Sequence, residues 1–183
     1  MPVDPITETA ELTRVDQLAR VDDLTRVDHL TRVDDTYRFL LGEWRVQRTL
    51  NDHRLHETGL FSGTASVAPC GHGPEQTAQY REVGQLCFGA HRGTACRSLR
   101  YLREHDGAVT VTFEDGRRFV ACDLRSGRCD ATHLCGGDRY DVSWRVVTHD
   151  VLVEEWRARG RCKDYEARCV LQRLRASGTE RGS

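Results

Sequence analysis

"TYRFLLGEWRVQRTLND", residues 36–52, changes character near its middle. Its first residues are apolar and aromatic and read as a short helix. From Gly42-Glu43-Trp44 onward, Trp44, Val46 and Arg48 recur at every second position, the period of a strand whose two faces differ. A brief helix running into a strand at a Gly-x-Trp sets the frame for everything downstream.

Strand-like segments then follow at short spacing: 44–50, 56–67, 76–83, 95–104, 108–114, 117–124, 129–135, 139–148, 151–159 and 163–174. The separators are turn chemistry, among them "NDH", "HDG", "EDG", "SG" and "GGD". Two contain Asp-Gly, which favours tight hairpins. No long helical pattern lies between the segments, so parallel crossovers are not expected. The expected fold is all-β, an antiparallel up-and-down β-barrel of 8–10 strands, since closure removes exposed edges. Tyr140, Val142, Trp144 and Val146 alternate with polar neighbours, and so do Tyr165, Ala167, Cys169 and Leu171. Such strands have one wet and one dry face.

The helix, the Gly-x-Trp, the meander and an arginine near the end of the last segment together resemble the calycin group: lipocalins, fatty-acid-binding proteins and their relatives. That resemblance implies that Arg173 packs over Trp44 and closes one barrel end, a cation–π contact. More closely, the chain is similar to a lipocalin-like bacterial and fungal family, domain of unknown function 6314. The stretches that carry the likeness are "FLLGEWRVQR", "GLFSGTA", "QYREVG", "RSLRYL", "FEDGRRFVACDL", "HLCGGDRYDVSW" and "GRCKDYE", over residues 36–173. Where that family often has Gly-Pro-x-Lys-Asp-Tyr, this chain has Arg161 in place of the proline. The family name carries no activity, so the likeness speaks to fold.

Composition narrows the function classes. Lys and Arg number 27 against 28 Asp and Glu. The balance gives no field for nucleic acid or an anionic membrane. No apolar run approaches the ~18 residues of a membrane helix, and the first residues carry no secretory pattern. A soluble, cytoplasmic protein is expected, of unspecified oligomeric state. In that setting the eight cysteines are expected to be free thiols, most of them small apolar fillers on strands.

Residues 12–35 are four copies of a six-residue unit, "LTRVDQ LARVDD LTRVDH LTRVDD". A spacing of three winds round a helix of 3.6 residues per turn rather than holding one face. Asp16 to Arg20 and its two successors are nevertheless favourable i,i+4 pairs. The expectation is an arm over 1–35, helical or disordered, a barrel over 36–174, and a disordered tail over 175–183.

Taking the apolar phase of each segment as inward lists the polar groups that share it. Arg48, Tyr80, Arg97, Tyr140, Lys163 and Tyr165 are the candidate ligand-binding residues. Glu82 and His133 are the candidates for proton transfer. His133 shares a face with Ala131 and Cys135, although Leu134 pulls that segment the other way. Inward charges are costly unless paired, which favours a polar-headed ligand or salt bridges, Arg48 with Glu82 and Lys163 with Glu154. No cofactor or metal is expected. His133 and Cys135 would need a further ligand, for instance from Cys70-x-His72; haem on His133 needs a large apolar slot; Cys135 as nucleophile lacks an oxyanion hole. Three readings stay open: binding of a small amphipathic, anionic or carbonyl-bearing molecule; an isomerase, cyclase or related proton-transfer enzyme; and a structural barrel with a filled core.

Overall fold

The Asp35 side chain accepts a hydrogen bond from the Arg38 amide at 2.9 Å and caps helix α1, Thr36–Leu40. Such a cap satisfies one of the amides a helix leaves open at its start. The helix stops after little more than a turn because Gly42 follows at φ 118°, a conformation that favours glycine. A Cβ there would also stand 3.1 Å from Arg173 Nη1. Gly42 therefore lets the chain turn from helix to strand directly beneath an arginine.

The computed structural model describes residues 30–71 and 76–174. The first three hexads, the tail over 175–183 and His72 lie outside the described residues. Ten strands follow α1: β1 Gly42–Asp52, β2 Glu57–Cys70, β3 Thr77–Phe88, β4 His91–Arg103, β5 Val109–Thr112, β6 Arg118–Cys122, β7 Arg128–Cys135, β8 Asp138–Thr148, β9 Val151–Gly160 and β10 Lys163–Arg173. They form one antiparallel sheet in the order β6-β5-β4-β3-β2-β1-β10-β9-β8-β7. Pairing of β1 with β10, Trp44 opposite Arg173 and Asp52 opposite Tyr165, rolls the sheet into a nearly closed barrel. Its seam lies between β6 and β7.

Gly63 and Gly84 face each other across β2 and β3. A Cβ on Gly63 would come within 2.2 Å of the Val83 carbonyl oxygen, and one on Gly84 within 2.4 Å of that of Ser62. The two strands approach more closely there than any side chain permits, which suits a tight bend in a small barrel.

One half of the interior is packed. Trp44, Val46, Val109, Leu124 and Val146 are almost wholly buried, and α1 lies over this end. Trp44 Nε1 donates to the Leu40 carbonyl at 3.0 Å, and the buried Thr36 hydroxyl accepts from the Leu124 amide at 2.8 Å.

The last hexad, "LTRVDD" at 30–35, was expected to belong to the arm. Instead the Thr31 amide donates to the Val146 carbonyl at 2.9 Å and its hydroxyl to the Val147 carbonyl at 3.0 Å. Val33 is buried, and Asp35 both caps α1 and pairs with Arg103. The packed body thus extends upstream to Leu30. An apolar residue that fills the core and an acid that caps the helix override the repeat's outward likeness to its neighbours.

Candidate functional site

Strand parity brings the site together. On β1, Trp44 and Val46 point inward and Arg48 follows them; on β3, Tyr80 and Glu82 share the inward face; on β4, Arg97 stands directly opposite Glu82. Arg48 grips Glu82 through two parallel hydrogen bonds of 2.8 and 2.7 Å. The Tyr80 hydroxyl donates to the same carboxylate at 2.5 Å. Burial alone would raise the Glu82 carboxyl, but Arg48, Arg97 and Tyr80 together hold it below its ordinary range. Burial pushes the Tyr80 phenol well up.

Arg97 is held differently. Its guanidinium lies between the rings of Tyr80 and Trp156, 5.3 and 5.4 Å from their centroids. Its Nη2 reaches Glu82 and the Tyr80 hydroxyl only at 3.4 Å and Glu154 at 3.7 Å, and its buried Nε has no acceptor. The terminal nitrogens of Arg48 are thus committed to Glu82, whereas Arg97 is fixed in place but weakly paired.

Above this polar layer the barrel is hollow. A cavity of about 360 Å³ is bounded by Arg48 and Arg97, by Leu50 and Leu99, and by the rings of Phe113, Phe119, His133, Tyr140, Trp156 and Tyr165. Phe119 stacks on Trp156 at 5.1 Å and 11°, and His133 stands against Phe119 at 4.9 Å and 60°. His133 does face inward: Leu134 is 70% exposed, so the β7 phase follows Ala131, His133 and Cys135. At the mouth, Lys163 Nζ donates to the Tyr140 hydroxyl at 2.5 Å and to Asp138 at 2.7 Å. These two hydrogen bonds push the Lys163 amine up.

Of the eight expected site residues, Arg48, Arg97, His133, Tyr140 and Tyr165 line the cavity. Tyr80 and Glu82 lie beneath it, and Lys163 sits at its rim. The expected Lys163–Glu154 pair does not form. Lys163 stands opposite Gly160 and Glu154 opposite Cys169, six residues apart along the strands, and Glu154 meets Arg97 instead. Phe113, Phe119 and Trp156 were missed. Trp156 shares parity with Leu152 and Ala158, a signal obscured because the buried Glu154 lies between them.

Among the described residues no group of three or more His, Cys, Asp or Glu is placed to hold a metal ion. At about 360 Å³ the cavity is at the small end of ligand sites. It falls short of what a macrocycle such as haem fills. A larger groove of about 660 Å³ lies on the outer face of β7–β10 and β1. Its charges are held in ion pairs, Arg157 with Glu166 within the groove and Glu155 with the neighbouring Arg145. The interior cavity is the candidate site.

Residues 40–173 match the family model described as "Family of unknown function (DUF6314)", and the chain belongs to that family. Comparison with curated proteins gives no match. Among solved structures, the chain is similar to the S-type phycobiliprotein lyase CPES from Guillardia theta. There the TM-score is 0.58 and the identity 9%, over 80% of this chain and 94% of that one. It is also similar to mFAP1, a redesigned β-barrel bound to DFHBI, with TM-score 0.37 and 13% identity over 75% of this chain and 97% of that one. The first likeness shows the shared barrel fold.

Proposed function

We propose that this DUF6314 barrel binds one small amphipathic molecule, with its anionic or carbonyl group against Arg97 and its apolar part among the rings of the open half. The observation that carries the reading is the contrast between the two arginines. Arg48 makes short paired bonds to Glu82, while Arg97, clamped between Tyr80 and Trp156, makes only long ones and borders the cavity. A fixed, under-paired guanidinium at the floor of an apolar pocket suits a carboxylate, which it can meet with two hydrogen bonds.

An enzymatic reading would route a proton through Glu82 or His133. Glu82 is a poor base in this setting, since both oxygens accept hydrogen bonds and its carboxyl is held in the charged form. His133 borders the cavity among rings, where it serves binding as readily as proton transfer.

Isothermal titration of the full chain with two matched pairs, octanoate against 1-octanol and 2-naphthoate against 2-naphthalenemethanol, tests the proposal. At least one carboxylate should bind more tightly than its alcohol. That preference should vanish in the double variant Arg97→Met/Glu154→Gln. The second change is needed because Glu154, with a side chain only 8% exposed, pairs with Arg97. Failure of both carboxylates to bind, or a preference that survives the double variant, would overturn the proposal.

A further inference from the structure

We infer that the ligand's apolar part is aromatic, and that the molecule is a carboxylated arene of two or three fused rings with a second polar substituent on the side facing Tyr140. This rests on the binding reading above and deepens it. The chain has only 13 Phe, Trp and Tyr residues, and five of them border this one cavity, with His133 as a sixth ring. Among the described residues, the aliphatic ones that border it are Leu50, Leu99 and Ala167. An alkyl chain would meet mostly ring edges and faces, without the added attraction that one ring gains from another.

The rings are already set for such contacts. Phe113 and His133 stand at 67° with centroids 6.0 Å apart, Phe119 and His133 at 60° and 4.9 Å. Aromatic pairs in edge-to-face geometry gain attraction beyond the area they bury. A ligand ring placed among them continues that pattern. Size agrees: at interior packing of ~0.74, a cavity of about 360 Å³ takes a molecular volume of roughly 270 Å³. That accommodates two or three fused rings and a carboxylate.

Tyr140 supplies the second polar contact. Its hydroxyl oxygen accepts from Lys163 at 2.5 Å, which leaves the hydroxyl proton to be donated elsewhere. Along the barrel it stands one inward step nearer the mouth than the level of Trp156: Val142 faces Trp156 and Tyr140 faces Ala158. Arg97 lies over Trp156, so a ligand held by Arg97 extends toward Tyr140. A hydroxyl or oxo group on the distal ring would accept the Tyr140 proton.

Calorimetric titration with 2-naphthoate, 6-hydroxy-2-naphthoate and octanoate tests this. The naphthoate should bind about tenfold more tightly than octanoate, the equivalent of ~1.4 kcal/mol. The hydroxyl should tighten binding further, and Tyr140→Phe should abolish that gain, bringing the affinities for 6-hydroxy-2-naphthoate and 2-naphthoate together. Octanoate binding as tightly as naphthoate would overturn the aromatic assignment and leave the binding function standing. A hydroxyl gain that persists in Tyr140→Phe, or none in the native protein, would overturn the role of Tyr140. Absence of binding by all three carboxylates would remove both proposals.

Discussion

The Arg173 guanidinium lies 4.1 Å over the ring of Trp44 and donates to the Leu41 and Phe39 carbonyls at 2.7 and 2.6 Å. One side chain thus covers the indole that begins β1 and satisfies carbonyls at the end of α1, where a helix leaves them unpaired. Arg173→Ala should cost about 2–3 kcal/mol, from the cation–π contact and two charge-assisted hydrogen bonds. Arg173→Lys should recover little, because an ammonium cannot stack on the ring while bridging both carbonyls. Urea denaturation checks both, and an unchanged midpoint for the alanine variant would remove the arginine from the account of stability.

Glu82 couples the barrel to pH. Its carboxyl ionises below the ordinary 4.5 in the folded protein, so its stabilisation is complete above that value. The contribution is lost as the pH falls through the folded value. Glu82→Gln should therefore lower stability at pH 7 by roughly 3 kcal/mol, as for other broken buried pairs. It should also flatten the acid limb of a stability–pH profile measured by denaturation. A variant with the same acid limb as the native protein would place that dependence on other carboxylates.

The packed hexad predicts where the chain tolerates shortening. A protein beginning at Leu30 should melt like the full chain. One beginning at Thr36 loses the Thr31 hydrogen bonds, buried Val33 and the Asp35 cap. The cap and the buried valine alone suggest a loss of about 3 kcal/mol. Equal melting temperatures for the two would show that residues 30–35 add nothing.

At the seam, Cys122 and Cys129 are hydrogen-bonded neighbours, and Cys129 also approaches the Ala121 carbonyl at 3.7 Å. The hydrogen bond from Cys122 brings the Cys129 thiol down to about 7, while the same contact and burial push Cys122 well up. Alkylation of Cys129 by iodoacetamide, followed by peptide mass spectrometry, should rise through a midpoint near that value, with Cys122 unreactive in the native fold. In Cys122→Ala the midpoint should move upward. A midpoint unaffected by that substitution would show that the neighbouring thiol does not set it.

Local pattern determined much of this protein. The ten strand segments, the meander and the Gly42–Trp44 entry follow from period-two alternation and turn residues, which act over a few positions of chain, whereas the Trp44–Arg173 contact was implied by the calycin resemblance. The inward list was legible for the same reason, since parity alone decides which face a residue occupies. What parity cannot decide is depth along the barrel and which neighbour wins a charge. Lys163 and Glu154 share the inward face yet lie at different levels, so Lys163 pairs with Asp138 at the rim and Glu154 with Arg97 in the interior. Arg48 and Arg97 look alike as residues. Only the rolled sheet, which places Glu82 within reach of both and Trp156 beneath one, gives Arg48 short bonds to Glu82 and leaves Arg97 with long ones.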